Sequence, residues 1–219
     1  MSIKSIILNI LFPINCLSCK KEGAFLCEKC FHKLKTISKK YNLNTPNLNE
    51  IFIAGDYNDK LLAELIKKLK FSFIKEIGKI LSRFLILFWR QVEFEKPEFR
   101  EKEIEKFLVI PVPLSKKRER FRGFNQSKIL AENFSSFYTY PLSLDLKRIK
   151  HSVPQSSLSE TKRKQNIQSS FAWRGKSLRG KTIILIDDII TTGATLNECA
   201  KELKQAGADS IYALVIAKG

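Results

Sequence analysis

Two adjacent carboxylates, Asp187 and Asp188, are separated by two isoleucines from a run of small and hydroxylated residues: Thr191, Thr192, Gly193, Ala194 and Thr195. An ionised carboxylate only accepts hydrogen bonds, so the acids suit the hydroxyls of a sugar and repel its phosphate. The threonines donate, and Gly193 lets backbone N–H groups approach an anion with no Cβ in the way. Leu196, Cys199, Ala200 and Leu203 then recur at helical spacing. The run therefore opens a helix, whose first unpaired N–H groups and positive dipole end favour a phosphate monoester. Hydroxyls beside the acids and a phosphate in the run describe a ribose 5-phosphate. The bland alternative is a buried strand with Thr191 or Thr192 capping the next helix. An acid pair, a glycine and three threonines inside nine residues argue against it. No Lys follows Gly193 at the spacing of a Walker A loop, and GxGxxG is absent here.

Residues 183–195, IILIDDIITTGAT, resemble the thirteen-residue phosphoribosyl diphosphate (PRPP) signature of type I phosphoribosyltransferases. A PRPP enzyme needs a second anion site for its diphosphate leaving group. Residues 111–126, PVPLSKKRERFRGFNQ, follow the strand-like run FLVIPV and are rich in cations. Lys116 and Arg122 are the candidate diphosphate ligands. A solvated loop or a nucleic-acid surface is the alternative for this cluster.

Four of the five cysteines form two CxxC pairs, Cys16/Cys19 and Cys27/Cys30, with seven residues between them. Each CxxC turn places both sulfurs on one side, and four thiolates complete a tetrahedral zinc site with no position left for water. The expected metal is therefore structural, and it supplies folding energy to a segment too short for its own core. Two disulfides are the alternative, disfavoured in a cytoplasmic protein. Cys199 lies on an apolar helical stripe and reads as core.

The elements that must carry these groups follow from the hydrophobic pattern. Residues 183–186 are a run of four aliphatics with the character of a strand buried on both faces, ending on the acids. Residues 51–54, 107–112 and 211–217 are further strands, and Leu142, Leu144 and Leu146 alternate as another. Helical faces run through Leu61, Leu62, Leu65, Ile66 and Leu69, with Lys67, Lys68 and Lys70 opposite, and through residues 75–94 and 128–137. Residues 3–12 form a short apolar helix and residues 33–50 a linker. Residues 151–171 read as a polar loop that closes over the site or merely connects; His151 beside it is a weak acid–base candidate. The expected fold is α/β: a type I phosphoribosyltransferase-like, mainly parallel sheet flanked by helices. A small N-terminal four-cysteine zinc module precedes it, with residues 1–45 as module plus linker and 46–219 as the main domain.

The chain has 219 residues, 39 Lys+Arg against 22 Asp+Glu, and a formal charge of +17. This excess favours polyanionic partners, although solvated lysines explain part of it. Hydrophobic content of 44% excludes global disorder. The start, MSIKSIILNILF, is short and lacks a cleavage site, and no apolar run reaches the length of a span. A cytoplasmic protein without stable membrane insertion is expected.

Taken together, the motifs resemble the ComF family of competence-associated phosphoribosyltransferases. The likeness is carried by Cys16 to Cys30, by RGFNQ at 122–126, by Arg148, Pro154, Gln155, Leu158, Arg163 and Asn166, and by residues 183–195. Ser152 and Ser157 depart from the expected Thr and Gly. The resemblance implies a PRPP site with Mg²⁺, a structural zinc, and a role in natural transformation after DNA enters the cell. It supplies no acceptor base. The alternatives are a non-catalytic adaptor that binds single-stranded DNA and links uptake to helicase or recombination proteins, and a zinc module that docks a partner protein.

Overall fold

A computed structural model describes residues 13–37, 41, 43–149 and 170–219. The expected helix at 3–12, His151 and the family matches from Pro154 to Asn166 lie outside the described residues.

Four parallel strands form the central sheet: β1 (Glu50–Asp56), β2 (Phe107–Pro111), β5 (Thr182–Ile190) and β6 (Ser210–Lys218), in the order β1-β6-β5-β2. A two-stranded antiparallel ribbon, β3 (Leu146–Arg148) with β4 (Phe171–Trp173), stands beside it. The alternation expected over Leu142, Leu144 and Leu146 yields only the last of these in β3. Leu142 instead makes an isolated parallel bridge to Val109 in β2.

Period-two alternation divides the central strands between two cores. Ile184, Ile186, Leu214 and Ile216 face one core; Ile183, Leu185, Ala213 and Val215 face the other. On the first face lie α2 (Lys60–Phe71), α3 (Lys75–Glu95) and α6 (Gln126–Tyr138). On the second lie α7 (Ala194–Gln205) and the ribbon. Asp59 caps α2 by accepting from the Leu62 N–H at 2.9 Å. Two short helices complete this part: α4 (Pro97–Glu101), with Pro97 in its first turn, and α5 (Lys116–Arg122).

The cysteine segment packs against the main domain. Its helix α1 (Glu28–Phe31) buries Cys30 and Phe31, and with Cys16 and Leu26 these belong to the same core as α2, α3 and α6. Arg83 of α3 grips Glu28 with two bonds, 2.5 and 2.8 Å, and its guanidinium lies 4.1 Å from the Phe31 ring centre.

The expected linker is also built into the fold where it is described. Ile37 donates its N–H to Ala54 O, and Asn49 exchanges bonds with Ile211 through both backbone and side chain. Leu43 and Leu48 pack on the second core. Apolar residues every few positions are enough to hold this stretch down, despite its Asn and Pro content.

Among the described residues, no helix is long and apolar enough to cross a membrane.

Candidate active site

The helices after β2 and β5 leave toward opposite faces of the sheet, α6 to the first and α7 to the second. A crevice must open between the carboxyl ends of two neighbouring strands whose connections diverge this way. Pairing between β2 and β5 ends at Pro111 opposite Ile186, and β5 runs on to Ile190 beside β6. The acids lie in that extension. Sequence ends the strand on the acids; ladder bonds to β6 carry it two residues further, to Ile190.

Adjacent strand residues face opposite ways. Asp187 accepts a 2.7 Å bond from the Ser127 hydroxyl and a 2.9 Å bond from the Asp188 N–H. Burial, and then the neighbouring Asp188 charge, push its carboxyl up to about 7. Asp188 is only 3% exposed. Lys70 Nζ stands 2.5 Å from its Oδ2, close enough for an ion pair although without hydrogen-bond direction.

Thr191 and Thr192 are exposed, and Ala194 and Thr195 half-buried, in the bend and first turn that follow. Gly193 occupies the left-handed region at φ 80° as the residue before α7. Gly193 offers this helix no side-chain cap; Thr192 Oγ1 accepts from Ala194 N at 3.4 Å. A Cβ on Gly193 would come within 2.6 Å of the Thr45 methyl. The stretch 43–49 flanks this bend: Asn47 donates both backbone and side-chain N–H to Asn197 Oδ1, at 3.0 and 3.2 Å.

The cation-rich stretch after β2 is not a loop but α5. Ser115 caps it, and left-handed Gly123 ends it. Asn125 then caps α6 through a 3.0 Å bond from Ser127 N, while its amide donates to Val112 O. Gln126 accepts from Arg122 at 2.8 Å. RGFNQ thus works as a corner that aims Arg122 and Ser127 at the acids, and its amides are taken up internally. Burial lowers the pKa of Arg122; Asp188 and Asp187 offset that loss, and Arg118 adds to it. Arg148 is in the same position, lowered by burial and by Arg118 and supported by Asp187. Arg122 and Arg148 therefore both feel the charge of the acids and the repulsion of Arg118. Lys116 is exposed and lines a cavity of about 740 Å³ between α5 and the ribbon. Among the described residues, five cations (Lys116, Lys128, Lys147, Arg148, Arg174) line that cavity against one acid, Glu119.

The four cysteine sulfurs lie within 4.8 Å of one another, and none is in a disulfide. Zinc–sulfur bonds of about 2.3 Å need sulfur–sulfur edges of roughly 3.8 Å, so the cluster fits the ion after a small contraction. Although burial opposes it, N–H groups of Cys19, Cys27 and Ser18 pull the Cys16 thiol down to about 6; although the Lys21 N–H lowers Cys19, the neighbouring sulfurs push it up to about 11.

Lys70 and Ser127 join the site without any signal in the sequence pattern. Helical spacing puts Lys70 on the outer face of its helix, and no spacing rule marks a serine that follows RGFNQ.

Residues 122–219 match the model of the phosphoribosyl transferase domain. Sheet order, crevice and four-cysteine segment together define a type I phosphoribosyltransferase-like protein with an N-terminal four-cysteine module. Over 214 residues the chain is 31% identical to Competence protein F of Haemophilus influenzae, covering 94% of this chain and 85% of that protein. It is 30% identical over 171 residues to DNA utilization protein YhgH of Escherichia coli, covering 76% and 70%. A 101-residue stretch is 42% identical to Competence protein ComFC of Bacillus subtilis, covering 46% and 40%. The chain belongs to the ComF family.

Proposed function

We propose that the chain binds PRPP with Mg²⁺ at the carboxyl end of β5, as a phosphoribosyltransferase acting in natural transformation. The observation that carries this reading is left-handed Gly193, opening a helix directly after an acid-bearing strand. The 5′-phosphate is assigned to Thr191, Thr192, Gly193, Ala194 and Thr195, and the ribose hydroxyls to Asp187 and Asp188. Arg122 and Lys116 are assigned to the diphosphate. Mg²⁺ suits this oxygen-rich set and neutralises diphosphate charge when bound. In the reaction the bond from the anomeric carbon to the diphosphate oxygen breaks, and a bond to an acceptor nitrogen forms. Positive charge developing on the ribose is stabilised by the acids, and charge on the departing diphosphate by Arg122 and Lys116. Cys16, Cys19, Cys27 and Cys30 are assigned to a structural zinc.

The test is calorimetric titration of PRPP with Mg²⁺ into the native chain and into Gly193→Ala. The native chain should release binding heat. A side chain at φ 80° costs about 1–2 kcal/mol and moves the phosphate amides, so the variant should bind about tenfold more weakly. Absence of heat with the native chain overturns the reading.

A second reading, the single-stranded DNA adaptor, is favoured by one surface. Phe71, Phe73 and Phe121 are 60, 43 and 72% exposed, with Phe73 and Phe121 rings 5.8 Å apart and Arg122 over Phe71 at 5.5 Å. Exposed aromatics among cations are stacking platforms for unpaired bases. Anisotropy with a labelled oligonucleotide should show affinity falling steeply with salt, and Phe121→Ala weakening it by about tenfold. An unchanged affinity in that variant removes the platform.

A further inference from the structure

The last two residues of α2 each touch one group assigned to PRPP. Lys70 reaches Asp188 Oδ2 at 2.5 Å, and Phe71 lies beneath Arg122. The Lys70 and Asp188 side chains are only 16 and 5% exposed. Removing two charges from water seldom adds net stability, and apolar replacements often do as well. The pair is better explained by what it orients. Lys70 is held to its place: Leu65, Ile66 and Leu69 are fully buried, and Asp59 fixes the start of the helix. Its ammonium approaches Asp188 from the end of α2, while Asp187 is held by Ser127 at the start of α6.

We infer that Lys70 is the positioning residue of the acid pair: by holding one oxygen of Asp188 it aims the other at the sugar hydroxyls. This rests on the PRPP reading above. A lysine kept only for fold stability would alter melting and leave the sugar untouched.

The experiment is calorimetry with PRPP and Mg²⁺ on the native chain, Lys70→Met, Lys70→Arg, Asp188→Asn and the Lys70→Met/Asp188→Asn pair. Lys70→Met should weaken binding about tenfold, and Lys70→Arg should restore it to within about threefold of native. Asp188→Asn should cost much less in the Lys70→Met background than in the native one, because the two residues act as a unit. Native-like affinity in Lys70→Met, or additive losses in the pair, overturns the assignment while leaving the PRPP site standing. No heat with the native chain removes both. If Lys70→Met does not fold, the Lys70 ammonium resonance of the native chain is followed, assigned by its loss in Lys70→Arg. It should move when PRPP and Mg²⁺ are added; a fixed resonance overturns the inference.

Discussion

Replacing Asp187 and Asp188 together by Asn is expected to weaken PRPP binding by at least about 100-fold. A hydrogen bond to a charged group contributes about 1.5–3 kcal/mol, and two carboxylates lose their charge at once. The amides keep the shape, so the loss reports on charge and acceptor strength. Asp187→Asn alone carries a second, opposite expectation. Its Oδ1 already accepts from Ser127 and from the Asp188 N–H, and an amide oxygen accepts both. What disappears is a carboxylate raised above its ordinary value by burial and by Asp188. A raised acid favours the folded state at low pH, and that contribution is lost as pH rises from about 4 toward 7. Asp187→Asn should therefore melt at or above the native temperature at pH 8, with the gap closing at pH 5. Affinity falling while melting rises is the signature of a site that sacrifices stability for binding. Unchanged PRPP affinity in the double variant would remove the acids from the site.

Removing the metal from the cysteine cluster is the other large effect expected. Protein purified without chelator should carry about one zinc per chain, and stripping it should lower the melting temperature by about 10 °C or more. Structural zinc contributes roughly 10–16 kcal/mol to isolated finger peptides. In this chain Cys16, Leu26, Cys30 and Phe31 share a core with Leu81, Leu85 and Phe88. Loosening the segment therefore exposes part of α3. Even about 4 kcal/mol transmitted to the whole chain corresponds to roughly 8–16 °C at this size. Cys16→Ser/Cys30→Ser should reproduce the effect without chelator. Metal-free native protein, or identical melting after stripping, contradicts the zinc assignment.

The motifs are legible in the sequence because each is short and its parts act locally. Gly193 must lie near the phosphate run whatever the fold, since a few residues of backbone tie it to Thr191 and Thr195. The same locality makes the CxxC pairs readable. Residues 183–186 announce a doubly buried strand because they have no polar side to offer. The corner at RGFNQ shows the opposite case: helix capping occupies Asn125 and Arg122 occupies Gln126, and neither role is marked by spacing.

Sequence by itself determined the family, the four-cysteine cluster and the α/β pattern, because motifs and hydrophobic periods are local properties of the chain. Only the tertiary structure decided that Lys70 turns inward to Asp188, that Ser127 meets Asp187 across 60 positions, and that the cysteine segment shares the main core. Those contacts depend on how helices from distant parts of the chain settle on a sheet. Spacing along the chain carries no record of that packing, because a surface lysine and a buried one sit at helical positions that look alike until a partner arrives.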